Sequence, residues 1–374
     1  MSTPMTNPMT SLWWAQIKAV MRLELKKTFF ARRGLWIYVL AALPVALFMI
    51  FAVVSSREQD SSARIARQGE KALTSQDLRA IRPGMTREEV ISILGKPFLI
   101  TQWHGRRPAE NGSSVGVLRE NYHYSDGQDE LFVSLVDDKV ESVTIREGYS
   151  QGQDSIMFAG VFQFFFLRLA VFFGCLGIFM NLFRGEILDR SLHFYFLAPI
   201  RREVLMAGKF LAGFLATCTI FVTSEVLQTI AFLGHFSPAA RDLYLYQNHG
   251  LEHAAQYVGV TVLACLGYGA FFLVAGMLFR NPIQPTAAAL LWEGINPFLP
   301  SVLKQISVIY YLKSLCPVNI PVSPGTSPLW ALLVSNSDPV AAPLAVAGVV
   351  TVALLALFIS SVQVRRMEIN YTTE

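Results

Sequence analysis

The sequence predicts an all-α polytopic membrane bundle of six transmembrane helices, with a small α+β extracytoplasmic domain inserted after the first. Three observations carry this prediction. Of 374 residues, 53% are hydrophobic and only 16% are charged, against roughly 25% charged in soluble domains. Several apolar runs reach the ~20 residues that ~30 Å of hydrocarbon requires. One long interruption has an ordinary soluble surface instead, with 13 bases and 16 acids between Arg57 and Asp154.

Spans are expected at 35–55, 155–183, 204–233, 254–279, 283–303 and 340–362. The first, fourth and sixth are free of charge, whereas the second contains Arg168 and the third contains Lys209 and Glu225. The fifth holds Glu293, Pro297 and Pro300, so a broken helix is expected there, followed by a re-entrant or interfacial segment at 304–318. The first apolar run begins too far from the N-terminus for a cleaved signal peptide.

Orientation follows from Lys and Arg in the short flanks. Lys18, Arg22, Lys26, Lys27, Arg32 and Arg33 precede the first span, and Glu24 is the one acid among them. Arg184, Arg190, Arg201, Arg202 and Lys209 lie between or at the ends of spans two and three. Arg280 separates spans four and five, and Arg365-Arg366 follow span six; the loop after span three has only Arg241. These flanks all fall on one side. Both termini are therefore expected in the cytoplasm, with residues 363–374 as a tail and the insert in the periplasm of a bacterial inner membrane.

Residues 1–34 carry Lys18, Arg22 and Lys26 on one helical face and Trp13, Ile17, Val20 and Met21 on another. This predicts an amphipathic helix lying on the inner leaflet, with packing against protein as the alternative. Cys175, Cys218, Cys265 and Cys316 lie in separate apolar segments without metal-like spacing, as small buried hydrophobes do.

The insert, 56–154, begins with a polar stretch read as a helical stalk or linker. In DLRAIRPGMTREEVISILGKP, Asp77 to Pro97, Thr86 and Glu89 form a capping box. Val90, Ile91 and Leu94 give an apolar face, and Gly95-Lys96-Pro97 ends the helix. After a loop at Gly105–Gly116, three strands are expected at Leu118–Tyr124, Glu130–Val136 and Lys139–Ile145, joined by Asp126-Gly127 and Asp137-Asp138 as a meander. The IRPGMTREEVISILGKP run followed by strands, Asp77 to about Ile145, resembles the SmpA/OmlA (BamE-like) family of periplasmic domains. That resemblance implies a small α+β fold that makes protein contacts and carries no catalytic chemistry. A spacer or lid is the alternative role.

The segment 184–203 is apolar in its middle and ionic at both ends, a composition suited to a groove on a soluble partner. The pattern GE-x4-SL-x5-AP-x-RREV-x-x-x-GKF, together with MRLELKKTFFARRGLW before the first span, resembles the permease subunits of ABC type-2 transporters. The resemblance implies a coupling loop that docks on a separate ATPase, with Glu186, Asp189, Pro199, Arg201, Arg202 and Glu203 as coupling residues and Arg184 and Lys209 as weaker candidates. It also implies a second permease copy, as homo- or heterodimer, and export. An ordinary basic loop lying on lipid is the alternative.

The chain has no GxxxxGK[ST]: Gly208-Lys209 runs into Phe210 and Gly95-Lys96 into Pro97. It is therefore expected not to be an enzyme and to bind no cofactor, ATP-Mg belonging to the partner ATPase. His249-Gly250-Leu251-Glu252-His253 fits H-x-x-E-H, which makes His249 and His253 weak metal candidates. No third ligand accompanies them, and interfacial polar residues are the preferred reading. Arg168, Glu225 and Glu293 are translocation candidates, since a charge at mid-bilayer costs about 2.5–3.5 kcal/mol on insertion scales and demands a partner. An Arg168–Glu225 or Arg168–Glu293 pair is expected.

The function expected is therefore the transmembrane permease subunit of an ATP-driven ABC transporter. The alternatives are a membrane-anchored periplasmic assembly or sensor protein acting through its insert, and an intramembrane metalloenzyme centred on HGLEH. Nothing in the composition points to nucleic acid.

Overall fold

The computed structural model describes residues 8–30, 34–68, 71–108, 114–127, 129–146, 151–188, 197, 200–279, 281–320 and 340–366. It divides into two compact units. One is helical and comprises Met1–Met49, Ser155–Gly234 and Pro238–Glu374; the other comprises Ile50–Asp154 with His235–Ser237.

In the helical unit, α1 (Pro8–Phe30) precedes α2 (Leu35–Gln68), of which the part up to Met49 belongs to this unit. At ~1.5 Å per residue the 34 residues of α2 run about 50 Å, well beyond ~30 Å of hydrocarbon. The polar stretch after Ser55 is thus helical as far as Gln68. Next come α5 (Gln151–Val161), a π-helical segment (Phe162–Val171) and α6 (Phe172–Leu188), which together form one long apolar rod. They are followed by α7 (Arg202–Leu233), α8 (Pro238–Tyr246) and α9 (Gly250–Leu278).

Among the described residues, five helices are long and apolar enough to cross a membrane: Leu35–Arg64, Gly152–Glu186, Arg202–Leu233, Gly250–Leu278 and Ala342–Arg366. The last of these is α13. The count of six expected from sequence is not met by long helices. Residues 283–320 divide into α10 (Ile283–Ile295), a 3-10 turn (Asn296–Phe298), α11 (Ser301–Lys304) and α12 (Val308–Ser314). The 13 residues of α10 reach only about 20 Å. Pro297 and Pro300 lack the N–H that a continuing helix would use.

The helix α9 is the centre of the unit, packed against α6, α7 and α13. Its glycines set the spacing. A Cβ on Gly276 would lie 2.9 Å from Met180 Cα, and one on Gly267 would lie 2.8 Å from Val308 Cγ1. Close approach through small residues is how helices associate when lipid removes the hydrophobic drive between them. Phe162, Phe166, Phe172, Phe179, Phe221 and Phe272 fill the interior and are fully buried.

The helix α1 lies along α7, so packing on protein, the alternative reading, is what the structure has on that face. Val20 and Glu24 are buried, and a Cβ on Gly208 would sit 3.0 Å from Val20. Lys18, Arg22, Lys26 and Trp14 are exposed on the other side.

In the second unit, α3 (Ser75–Arg79) and α4 (Arg87–Leu94) precede an antiparallel sheet of order β1-β2-β3-β4. The strands are β1 (Leu99–Pro108), β2 (Ser114–Ser125), β3 (Glu130–Val136) and β4 (Lys139–Arg146). Sequence reading foresaw three strands and placed a loop at 105–116. The structure instead pairs β1 with β2 through Arg106↔Gly116 and Pro108↔Ser114. Leu99 to Trp103 does not alternate apolar and polar residues, and the glycine and arginines that follow read as a loop, so no local pattern marked this strand. The core is made by Leu78, Val90, Leu94, Tyr122, Tyr124, Leu131, Val133 and Val140.

Local chemistry fixes this unit. Asp137 and Asp138 both have positive φ, as a two-residue type I′ hairpin turn needs. Thr86 Oγ1 accepts from the Glu89 amide, and Glu89 Oε2 accepts from the Thr86 amide at 2.8 Å. Gly95 ends α4 with φ 77. The stalk is held by Ser62, whose hydroxyl donates to Glu130 Oε1 at 2.5 Å. Thr86→Ala should remove about 1 kcal/mol of local stability. Hydrogen exchange of the α4 amides in the full chain should then speed up about fivefold, with α9 unchanged; equal protection in both proteins would show that the cap does not hold α4.

Candidate functional site

The strongest constellation in the helical unit is a buried ionic cluster where α1, α6 and α7 meet. Lys209, in the third turn of α7, follows a glycine that lets α1 approach closely. Its Nζ donates to Glu24 Oε1 at 2.6 Å, to Glu186 Oε1 at 2.7 Å and to the carbonyl of Leu182 at 3.0 Å. An ammonium has three donors, and all three are used. Lys209 and Glu186 are 0% exposed and Glu24 is 2%. The Phe183 ring lies 5.4 Å from Nζ. Lys27, half exposed, approaches Glu186 Oε1 at 3.4 Å, and the buried Glu186 Oε2 has no hydrogen-bond partner among the described residues.

Removing such charges from water costs several kcal/mol per ion even after relaxation, and good geometry is needed to offset it. The arrangement is therefore poor as a mere source of stability but effective as a register pin. It fixes the end of α6, the first turns of α7 and the middle of α1 as one body, and the segment 187–200 leaves from it. Glu186, expected from the permease resemblance on a docking surface, is inside the protein. The same resemblance ranked Lys209 low, and Glu24 was read only as the odd acid among bases. The available signal was an acid in a basic helix together with a lysine inside an apolar run, but pairing residues so far apart in sequence requires the fold.

A second layer lies at the start of α7. The guanidinium of Arg201 sits 4.9 Å from the Trp13 ring centre. Arg202 Nη1 donates to the carbonyl of Arg365 at 3.0 Å, and Arg365 Nε pairs with Glu203 Oε1 at 2.5 Å. The Arg365–Glu203 pair is well exposed, so each such contact contributes about 0–1 kcal/mol. Together they link the first turn of α7 to α1 and to the last turn of α13. Asp189 and Pro199 lie outside the described residues. Arg184 is half-buried, two residues before Glu186 near the end of α6.

The charged residues within the apolar segments do not pair as expected. Among the described residues no carboxylate lies within 4.0 Å of the Arg168 guanidinium, which is stacked near Phe164 at 5.8 Å. Glu225 accepts from Thr229 Oγ1 at 3.0 Å, one turn along its own helix. Glu293 accepts from Ser307 Oγ at 2.7 Å and from the Ile309 amide at 3.2 Å, because the chain break after α10 leaves donors to satisfy. Glu293 is near enough to Arg168 to act on it electrostatically.

In the HGLEH motif, His249 has left-handed backbone at the start of α9 and its exposed ring contacts Glu252 at 3.1 Å. His253 is half-buried. Among the described residues no group of three His, Cys, Asp or Glu side chains is placed to hold a metal ion. The four cysteines are free thiols, three of them buried.

In the second unit, Glu120 is buried and takes hydrogen bonds from Arg87, from Gln102 at 2.6 Å and from Tyr122 at 3.1 Å. Hydrogen bonds from the Thr74 hydroxyl and amide hold the Asp77 carboxyl below its ordinary range, and burial pushes the Tyr124 phenol up. His235 and Asp154, both buried, meet at 3.1 Å. The edge strand β1 presents Leu99, Ile100 and Trp103 to solvent, beside Phe98 and Leu118.

Residues 70–107 match the family described as the outer membrane protein assembly factor BamE domain. The matched run covers α3, α4 and β1. No curated protein and no solved structure matches the chain. The chain thus combines a BamE-type domain with apolar helices that fit a membrane protein.

Proposed function

We propose that this chain is the transmembrane permease subunit of an ATP-driven ABC transporter, working as an exporter in the bacterial inner membrane. The observation that carries the reading is the buried Glu24–Lys209–Glu186 cluster. It sits at the root of the 187–200 segment, so a load applied there by a cytoplasmic ATPase would move α1, α6 and α7 together. Broken helices 283–320 supply the sixth crossing, both termini are cytoplasmic as the Lys and Arg flanks require, and the insert is periplasmic. A second copy completes the pathway, and ATP-Mg is held by the partner ATPase.

The test is affinity purification of the tagged chain in mild detergent, beside an Asp189→Lys/Arg201→Glu variant that leaves the buried cluster intact. A P-loop ATPase should co-purify with the parent and fall at least about tenfold in the variant, as loss of charge-assisted contacts does. Folded parent that retains no P-loop ATPase would overturn the reading.

The exposed apolar strand β1 in a BamE-type domain favours a second reading, in which the chain is a membrane-anchored periplasmic assembly or sensor protein and the insert binds a partner protein by strand addition. Deleting the insert would then abolish function while loop charges would be indifferent.

A further inference from the structure

A small cleft opens at the end of the bundle where α7 stops and α9 begins. Its walls include Phe158, Phe232 and Tyr244, its polar lining includes Thr229, His253 and Tyr257, and it has room for about one water molecule. His253 lies in the first turn of α9, near the exposed His249 and Glu252, and Tyr257 follows one turn deeper. On α7 the Thr229 hydroxyl donates to Glu225 Oε1 at 3.0 Å. Glu225 is buried two turns before the end of α7, about 12 Å in at ~1.5 Å per residue. Among the described residues, neither His253 Nδ1 nor the hydroxyl of the buried Tyr257 has a hydrogen-bond partner. The rings beside Tyr257, Phe158 at 5.1 Å and Phe162 at 4.5 Å, offer none.

Buried polar atoms are rarely left without a partner, and a water that satisfies them needs about two to four polar groups around it. Tyr257, His253 and Thr229 supply such a set, since the Thr229 oxygen can still accept while its proton is given to Glu225. A carboxyl among apolar helices, reached from one end through a series of hydroxyl and imidazole groups, is the arrangement of a proton relay. We propose that Tyr257, His253 and Thr229 hold water in this cleft and pass protons along it, which makes Glu225 a reversible proton-binding site served from the aqueous phase at this end of the bundle. On uptake, Glu225 Oε1 takes the proton of the Thr229 hydroxyl, the water gives one of its own to Thr229 Oγ1, and a proton arriving past Tyr257 and His253 restores the water. Release runs the same steps backwards. The other ionisable groups around the cleft are Tyr244 of α8, His249 and Glu252 at the start of α9, and Cys316 after α12. Among the described residues none of these bonds to Glu225, whose hydrogen bond is to Thr229. The relay adds a proton-linked step to the transport reading and stands without it.

The experiment uses the full chain in phosphatidylcholine nanodiscs and reads the carbonyl stretch of protonated carboxyl groups by infrared difference spectroscopy. A band that disappears reversibly as the pH is raised, and that is missing from Glu225→Gln, is expected in the parent. After a downward pH jump the band should return at least about tenfold more slowly in Tyr257→Phe, because a positioned proton-transfer group contributes at least that much to rate. The amplitude of the band should be kept there, since Phe removes the hydroxyl and leaves the ring packing. Thr229→Val, which removes the hydroxyl that stabilises the ionised carboxylate, should move the midpoint of the titration upward as well as slow the return. No band dependent on Glu225, or one that stays at every pH, overturns the proposal. Equal rates of return in the parent and Tyr257→Phe overturn it too. If Tyr257→Phe does not fold, His253→Ala is read instead, and an unchanged rate there overturns it equally.

Discussion

Lys209→Met is expected to destabilise the helical unit by about 3–5 kcal/mol, the usual cost of removing one partner from a buried ion pair. The methionine would fill the space of the lysine stem, so packing is nearly kept. What is lost is the single ammonium that satisfies Glu24, Glu186 and the Leu182 carbonyl at 2.6, 2.7 and 3.0 Å. Both carboxylates, at 0–2% exposure, would lose that donor, and Glu186 would keep the half-exposed Lys27 at 3.4 Å. Thermal unfolding in dodecyl maltoside, followed by tryptophan fluorescence, reads the effect. The triple variant Glu24→Gln/Glu186→Gln/Lys209→Met removes the charges together and should recover most of the loss, since replacing a whole buried ionic group is often neutral or stabilising. A stable triple variant that no longer functions would identify the cluster as a register device. A single variant as stable as the parent would show that the three charges are not coupled.

The same substitution at two sites of α9 should have opposite signs. A Cβ at Gly276 would meet Met180 Cα at 2.9 Å and its carbonyl oxygen at 3.0 Å, whereas one at Gly259 has nothing within 4 Å. Backbone atoms cannot rotate aside as a side chain does, so Gly276→Ala forces α6 and α9 apart and should cost about 1–3 kcal/mol. Gly259→Ala gains helix propensity and should stabilise by up to about 1 kcal/mol. The two midpoints, measured side by side, should fall on either side of the parent's. If both move the same way, helix contact at Gly276 is not what sets the spacing.

Several elements were legible from local pattern. The capping box at Thr86 and Glu89, the stop at Gly95 and the turn at Asp137-Asp138 are short-range chemistry, and the structure has each of them. The runs at Leu118, Glu130 and Lys139 became strands, while β1 has no apolar–polar alternation and its outer half holds a glycine and two arginines. The BamE-type character of the insert was readable from the GMTREEVISILGKP run and is matched over 70–107. The fifth span was read as broken because prolines are unambiguous, but a full count of crossings needs more than apolar length.

By itself, the sequence determined which segments are apolar enough for a membrane, where a soluble domain interrupts them and how that domain begins. These follow from composition, period and capping, all of which act within a few residues. The partners of the charged residues were decided only by tertiary structure. Arg168 does not pair with Glu225, Glu293 serves the backbone of a chain break, and Glu186 turns inward to Lys209 with Glu24 from the first helix. An isolated charge on an apolar helix is equally compatible with several partners, and the choice is made by which helices come close enough. That in turn depends on glycines such as Gly208 and Gly276, whose effect appears only when two helices are in contact.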